Sequence, residues 1–233
     1  MPVLELAGVV KDYRALRPLR IADLIVEEGD RVAIAGLDKS AAEVFVDLVT
    51  GALVPDTGVV RVFGRSTADV TDGNEWLASL DAFGIVTPRA VMLDGSTLAQ
   101  NLALPISLEL DPMPADVRRR VEALAAAVEL PAERLDRPFG DAGPLIRQRA
   151  QLAKALALDP KIVLFEHPTA SLPVEDARPF AETVKRVAEA RQLTIVVLTE
   201  DAGFADLVAT RAYKLNGGTG VLASTRGWRR FLS

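Results

Sequence analysis

A chain of 233 residues is long enough for one large or two small packed domains. A formal charge of −5 supplies no global field to recruit nucleic acid or anionic lipid, and the lack of cysteine excludes disulfides and thiolate-held metal and fits a reducing compartment. Aromatics are only 5% among abundant aliphatics, which suits sheets covered by Leu- and Ala-rich helices. The opening Met1-Pro2-Val3-Leu4-Glu5 lacks the basic and long apolar regions of a signal peptide, and the longest apolar runs are broken by charge before membrane-spanning length. Val3 to Val10 alternates and predicts a strand, as does Leu19 to Val26, with an exposed turn at Asp12–Leu16 between them. An apolar run from Val32 predicts a buried strand, and a turn at Gly36 feeds a helix that stops at Gly51. Val54–Gly58 turns into a strand over Val59–Phe63, a short helix is expected at Asn74–Leu80, and Phe83–Thr87 reads as a strand ended by Pro88. Helices follow at Thr97–Leu104 and at Ala115–Val128, the latter led by Pro114 with Val121, Leu124 and Val128 at helical spacing. Its Arg118-Arg119-Arg120 run reads as a solvated face. After a loop at Pro138–Pro144, a helix is predicted over Leu145–Leu158, then a buried strand Ile162–Phe165 that ends on Glu166-His167-Pro168. A helix over Asp176–Arg191, with Asp176 as N-cap and Pro179 in its first turn, precedes a strand at Thr194–Thr199. The chain then shows a hairpin of Ala212–Leu215 with Gly220–Ala223 around Asn216-Gly217-Gly218. Strands alternating with helices in the second half imply a parallel sheet.

The stretch Val32 to Gly51 has the strand–turn–helix context of a phosphate-binding P-loop, whose pattern is G-x-x-x-x-G-K-[ST]. There the loop's N–H groups cradle phosphate, the lysine reaches the outer phosphates and the hydroxyl holds Mg²⁺. Laid from Gly36, the second glycine falls on Ala41, the lysine on Ala42 and the hydroxyl on Glu43. The frame is kept, but the ammonium and the neutral hydroxyl are gone. Lys39 and Ser40 fall in the expected loop; Lys39 reads as a solvated loop lysine, the alternative being a swing toward phosphate.

In this order the landmarks resemble an ATP-binding cassette, the nucleotide-binding subunit of ABC transporters, over essentially the whole chain. The turn and strand Val54–Gly64, the helix segment Gln148–Leu156, and Pro160–Phe165 followed by Pro168-Thr169 carry the resemblance, with spacing preserved. It implies an α/β fold with a RecA-like P-loop NTPase core, an antiparallel β layer and a helical subdomain, the ABC ATPase fold. As one cassette domain over 1–233, the core would take 1–87 and 158–233 and the helical subdomain 88–157. The resemblance further implies ATP and Mg²⁺ as ligands, a membrane-spanning transporter subunit and another cassette as partners, no nucleic acid, and a cytoplasmic position peripheral to the inner face of the cell membrane.

Each chemical position departs from the family pattern. The family's Q-loop glutamine aligns with Pro88, its LSGGQ signature with Ala142-Gly143-Pro144-Leu145-Ile146, its Walker B aspartate with Glu166 and its catalytic glutamate with His167. The D-loop aspartate aligns with Pro173 and the switch histidine with Glu200, while Tyr13 keeps an aromatic where the family stacks adenine. Nucleotide, if bound, would meet Tyr13, Gly36, Lys39, Ser40, Ala41, Ala42 and Glu43. Glu43 and Glu200 set carboxylates against a triphosphate, and two unit charges 4 Å apart interact by about 4 kcal/mol near a protein surface. Pro144 has no N–H to offer a partner's phosphate, and Leu145 and Ile146 add bulk where glycines allow close approach. Val91, Met92, Leu93 and Leu98, with Leu102 and Leu104, are expected to form an apolar docking groove for the membrane subunit, or to pack the helical subdomain. The expected function is a degenerate cassette with weak or absent hydrolysis, acting as a structural or regulatory partner. The alternatives are an ATPase using Lys39, Glu43, Glu166 and His167, and a nucleotide sensor or scaffold unconnected with transport.

Overall fold

Residues 2–225 are described by the computed structural model; Met1 and residues 226–233, which fall in the expected core ranges, lie outside the described residues. Alternation builds the first layer: β1 (Pro2–Lys11) and β2 (Leu19–Glu27) pair antiparallel and turn Leu4, Leu6, Val9, Ile21, Leu24 and Val26 inward. The buried strand β3 (Arg31–Ala35) leads into α1 (Lys39–Thr50). This helix is capped at its start by the Asp38 side chain and ended by Gly51 at φ 75°, in the left-handed region. Next come β4 (Thr57–Val62), β5 (Arg65–Ser66), α2 (Gly73–Ser79) and β6 (Phe83–Val86). The first sheet has the order β2-β1-β4-β5 and is antiparallel throughout.

The helical stretch holds α3 (Leu98–Ala103), α4 (Ala115–Ala127) and α5 (Pro144–Ala155). A Thr97–Gln100 capping box starts α3. The chain then returns to the second sheet through β7 (Ile162–Glu166), α6 (Val174–Arg191), β8 (Thr194–Leu198), α7 (Ala202–Val208), β9 (Arg211–Leu215) and β10 (Leu222–Ser224). That sheet runs β10-β9-β3-β8-β7-β6, parallel from β9 to β6 with β10 antiparallel at the edge. Period-two alternation splits its strands between two cores. Val32, Ile34, Ile162, Leu164, Val196 and Leu198 pack with α1 and the antiparallel sheet. Ala33, Val163, Phe165, Ile195 and Val197 pack with the helices, where Phe204 lies 5.8 Å from the Phe180 ring. Among the described residues no helix is long and apolar enough to cross a membrane.

Three sequence expectations are corrected. Helix α6 begins at Val174 after Pro173, so Asp176 lies inside it and Pro179 stands beyond its first turn. Pro173, at φ −53°, already has the entry geometry, and the long helix absorbs the one bond that Pro179 lacks. Helix α5 ends at Ala155, short of Leu158. Helix α7 is missed altogether, although Asp201, which accepts from the Phe204 N–H at 2.9 Å, and the buried Phe204, Ala205 and Val208 give it a cap and a periodic face. The arginine run is indeed a solvated face: Arg118 pairs with Glu122 and Asp136, and Arg120 donates to the Ala157 carbonyl.

The helices are tied at one acidic point. Just past α4, Glu129 accepts from Arg149 of α5 and Thr183 of α6, each at 2.6 Å, and from Arg186 of α6. The Arg186 bond, supported by Thr183 and the arginine charges against the opposing effect of burial, holds its carboxyl down at about 2, below the ordinary 4.5. A depressed folded-state pKa stabilises the fold above about 4.5, and that contribution is lost as pH falls from there through about 2. With Glu129 40% exposed, solvent screening limits the effect to about 1 kcal/mol. Urea midpoints are expected to fall through this acid window in the wild type and to flatten in Glu129→Gln.

Candidate functional site

The turn after β3 already carries its own anions. The Gly36 N–H donates to Glu200 Oε1 at 2.6 Å, and the Ala41 N–H donates to Asp38 Oδ1 at 2.8 Å. Thr199, just past β8, donates its N–H to the Ile34 carbonyl at 3.0 Å, which sets Glu200 across the end of β3. Asp38 caps the helix early, so α1 starts at Lys39 and the expected loop shrinks to Gly36–Asp38. This corrects the placement of Lys39 and Ser40, which are exposed residues of the first helical turn. Ala42 is 0% exposed and joins Leu37 in the core between the sheets. Tyr13, Gly36 and Ala41 line one cavity of about 200 Å³ with Asp38, Arg17 and Arg20. Burial, with Asp38 adding, pushes the Tyr13 phenol upward.

Beyond β6 the Thr87–Ala90 turn presents a residue that the sequence reading passed over. Arg89 pairs through one nitrogen with Glu43 of α1 and through the other, at 2.9 Å, with Glu166 at the end of β7. Parallel register explains the meeting: Val86 lies opposite Phe165, so the residues just past β6 reach the end of β7. Glu166 is 6% exposed and Glu43 46%. Burial alone would lower the Arg89 pKa, but the Glu166 hydrogen bond and the Glu166, Glu43 and Asp47 charges raise it above its ordinary value. Asp47 is pushed upward by burial and by Glu43 and Glu166, against the pull of Arg89. The sequence signal was present, since the P-loop position Glu43 and the Walker B position Glu166 both carry acids that call for a nearby cation, and Arg89 directly follows Pro88. Among the described residues no group of three His, Cys, Asp or Glu side chains is arranged to hold a metal ion.

His167 follows β7 at φ 44°, with its N–H donating to the Leu198 carbonyl at 2.8 Å. Its Nε2 is buried without a hydrogen-bond partner among the described residues. At the start of α5, Gly143 is the N-cap residue and Pro144 the first helical residue, both exposed, while Leu145 and Ile146 turn partly into the helical core. Arg147, also missed from sequence, holds the preceding loop by donating to the Ala142 and Gly140 carbonyls at 2.9 Å each. Along the 87–104 stretch, Val91 is 72% and Leu93 43% exposed. Leu98 and Leu102 are buried in the helical core and Met92 packs partly against it, so Leu98 is corrected from docking residue to core residue. A groove of about 500 Å³ lies beside Val91, lined also by Asp47, Arg89, Pro105, Gln151 and Lys154.

No family model matches the chain. The lipoprotein-releasing system ATP-binding protein LolD of Saccharophagus degradans is 28% identical over 221 residues, 93% of this chain and 96% of that one. LolD of Xylella fastidiosa is 30% identical over 183 residues, covering 78% of this chain and 75% of the relative. This chain belongs to the ABC transporter ATP-binding proteins. A further member, the Fe(3+) ions import ATP-binding protein FbpC of Serratia marcescens, is 32% identical, and the match spans 60% of its length. Among solved structures, cbiO1 of Clostridium perfringens, part of the ABC transporter complex cbiONQ, superposes with a TM-score of 0.80 at 18% identity, covering 100% of this chain and 91% of that one. The dimeric bacterial ABC transporter cassette MJ0796 gives 0.79 at 24% identity, covering 96% and 99%. These likenesses give the cassette its fold, the ABC ATPase fold expected from sequence.

In this cassette the residues expected at a nucleotide other than the buried Ala42 divide into three places. Tyr13, Gly36 and Ala41 share the small cavity, Lys39 and Ser40 stand on the exposed helix start, and Glu43 faces Arg89 with Glu166. Glu200 joins the first place from the far end of β8. His167 is held by backbone contacts, and the signature positions 142–146 serve the start of α5.

Proposed function

We propose that this ABC cassette is a non-hydrolysing subunit of a membrane transport complex. It docks on a membrane-spanning subunit at the cytoplasmic face and pairs with another cassette as a structural or regulatory partner. The observation that carries the reading is the pair of carboxylates in the phosphate cradle, Glu200 on the Gly36 N–H and Asp38 on the Ala41 N–H. Two N–H groups of this turn already have anionic acceptors, and displacing either brings like charges together at about 4 kcal/mol per contact near a surface. Ala42 adds no ammonium to offset this. Mg²⁺ fits no better, because Glu43, at the P-loop's Mg²⁺-holding position, and Glu166, at the Walker B position, are both engaged by the Arg89 guanidinium. The exposed Val91 at the 500 Å³ groove, with the exposed Leu93 two residues on, suits an apolar segment of the membrane subunit.

A second reading, an ATP-hydrolysing subunit with non-standard residues, draws on the relatives, which are named as ATP-binding proteins, and on Tyr13 sharing a cavity with Gly36. Calorimetry with ATP and Mg²⁺-ATP separates the two. The expected outcome is no saturable binding below about 1 mM and no Mg²⁺-dependent turnover. Turnover that disappears in His167→Ala would establish the second reading instead.

A further inference from the structure

Arg89 gathers three elements at one point. Its own N–H donates to Thr87 Oγ1 at 3.2 Å and the Ala90 N–H donates to the Thr87 carbonyl at 3.0 Å, which fixes the turn that carries it. The guanidinium then spans from Glu43 on α1 to Glu166 on β7. Further along the same loop, Lys154 of α5 donates to the Val91 carbonyl at 2.8 Å. The loop between the sheet and the helical layer is thus fastened on both sides, and both fastenings line the 500 Å³ groove.

Resting on the non-hydrolysing reading above, we infer that Arg89 is a built-in substitute for the divalent cation. It is a positioning residue that keeps the 87–91 loop and the adjoining groove in one arrangement without Mg²⁺ or nucleotide. A guanidinium presents its donors in a rigid fork that suits two carboxylates, and unlike Lys it never gives up its charge. An ion arrives from solution, so its hold on a loop depends on its concentration. A covalently attached cation holds at any concentration. Where a bound metal makes such a loop responsive, a tethered charge makes it constant, and docking at this groove then proceeds with or without ATP.

Thermal melts in EDTA and in about 10 mM MgCl₂ test this. The wild type is expected to melt at the same temperature in both, to within about 1 °C. Arg89→Ala leaves Glu166 buried and unpaired; it is expected to melt about 5 °C lower in EDTA and to regain about 3 °C in Mg²⁺. Arg89→Ala combined with Glu43→Gln and Glu166→Gln should lose that Mg²⁺ response. A wild type stabilised by Mg²⁺, or an Arg89→Ala protein indifferent to it, overturns the inference. Should Arg89→Ala fail to fold, hydrogen exchange of residues 87–91 in the wild type decides: equal protection in EDTA and in Mg²⁺-ATP supports the inference, and protection gained with Mg²⁺-ATP overturns it. Mg²⁺ stabilisation without turnover removes the role of Arg89 alone, whereas turnover removes the non-hydrolysing reading itself.

Discussion

Ala42→Lys, which writes the motif's missing lysine back into the chain, is expected to destabilise this protein rather than create an ATP site. The position is 0% exposed and sits in the core between the two sheets. An ammonium introduced there must either stay buried without a partner or push α1 away from the antiparallel layer. Either route costs about 3 kcal/mol, which for a chain of this size lowers Tm by about 6–12 °C. No gain in ATP binding should accompany the loss, because the Asp38 cap and the Glu200 contact both persist in the variant. Differential scanning calorimetry with and without ATP reads both parts. A stable Ala42→Lys protein that binds ATP at micromolar concentration would show that the turn after β3 opens readily, and the self-filled cradle would have to be abandoned.

Gly36→Ala carries the other large effect. Gly36 has φ 92°, and a Cβ built on it would stand 2.5 Å from the Leu215 carbonyl oxygen at the end of β9. An L side chain is strained at that angle, and the obstructing atom is backbone, which cannot turn aside as a flexible side chain does. The strands must part or the turn must change shape, and the change also moves the Gly36 N–H away from Glu200. A loss of about 3 kcal/mol is expected, seen as a lower urea midpoint with an unchanged m-value. A midpoint equal to that of the wild type would mean that the turn has slack, and that the Glu200 contact is not held by the strand geometry argued above.

Much of the fold could be read along the chain because it rests on local patterns. Alternation marked β1 and β2, and continuous apolar runs marked the buried strands β3, β7 and β8, since each pattern is complete within a few residues. Gly51 and Thr97 announced a helix end and a helix start through their own backbone and side-chain preferences. The same locality explains α7, whose cap and periodic face were present and overlooked. The departures from the P-loop pattern were equally plain from its spacing at Ala42 and Glu43, and those at Pro88, Glu166 and Glu200 followed from the family resemblance.

What those departures do to one another was decided only by the tertiary structure. Residue by residue, Glu43 reads as a carboxylate set against phosphate and Glu166 as the stand-in for the Walker B aspartate; the parallel pairing of β6 with β7 brings Arg89 between them, from 46 residues away along the chain in one case and 77 in the other. Glu200 reads as a charge facing phosphate, but β8 beside β3 turns it onto the Gly36 N–H, 164 residues distant. Leu98 reads as a candidate docking side chain until α3 is packed into the helical core and hides it. Local preference sets which segments become strands and helices. Which charge meets which donor depends on sheet order and register, and those arise from long-range burial that no short window of sequence contains.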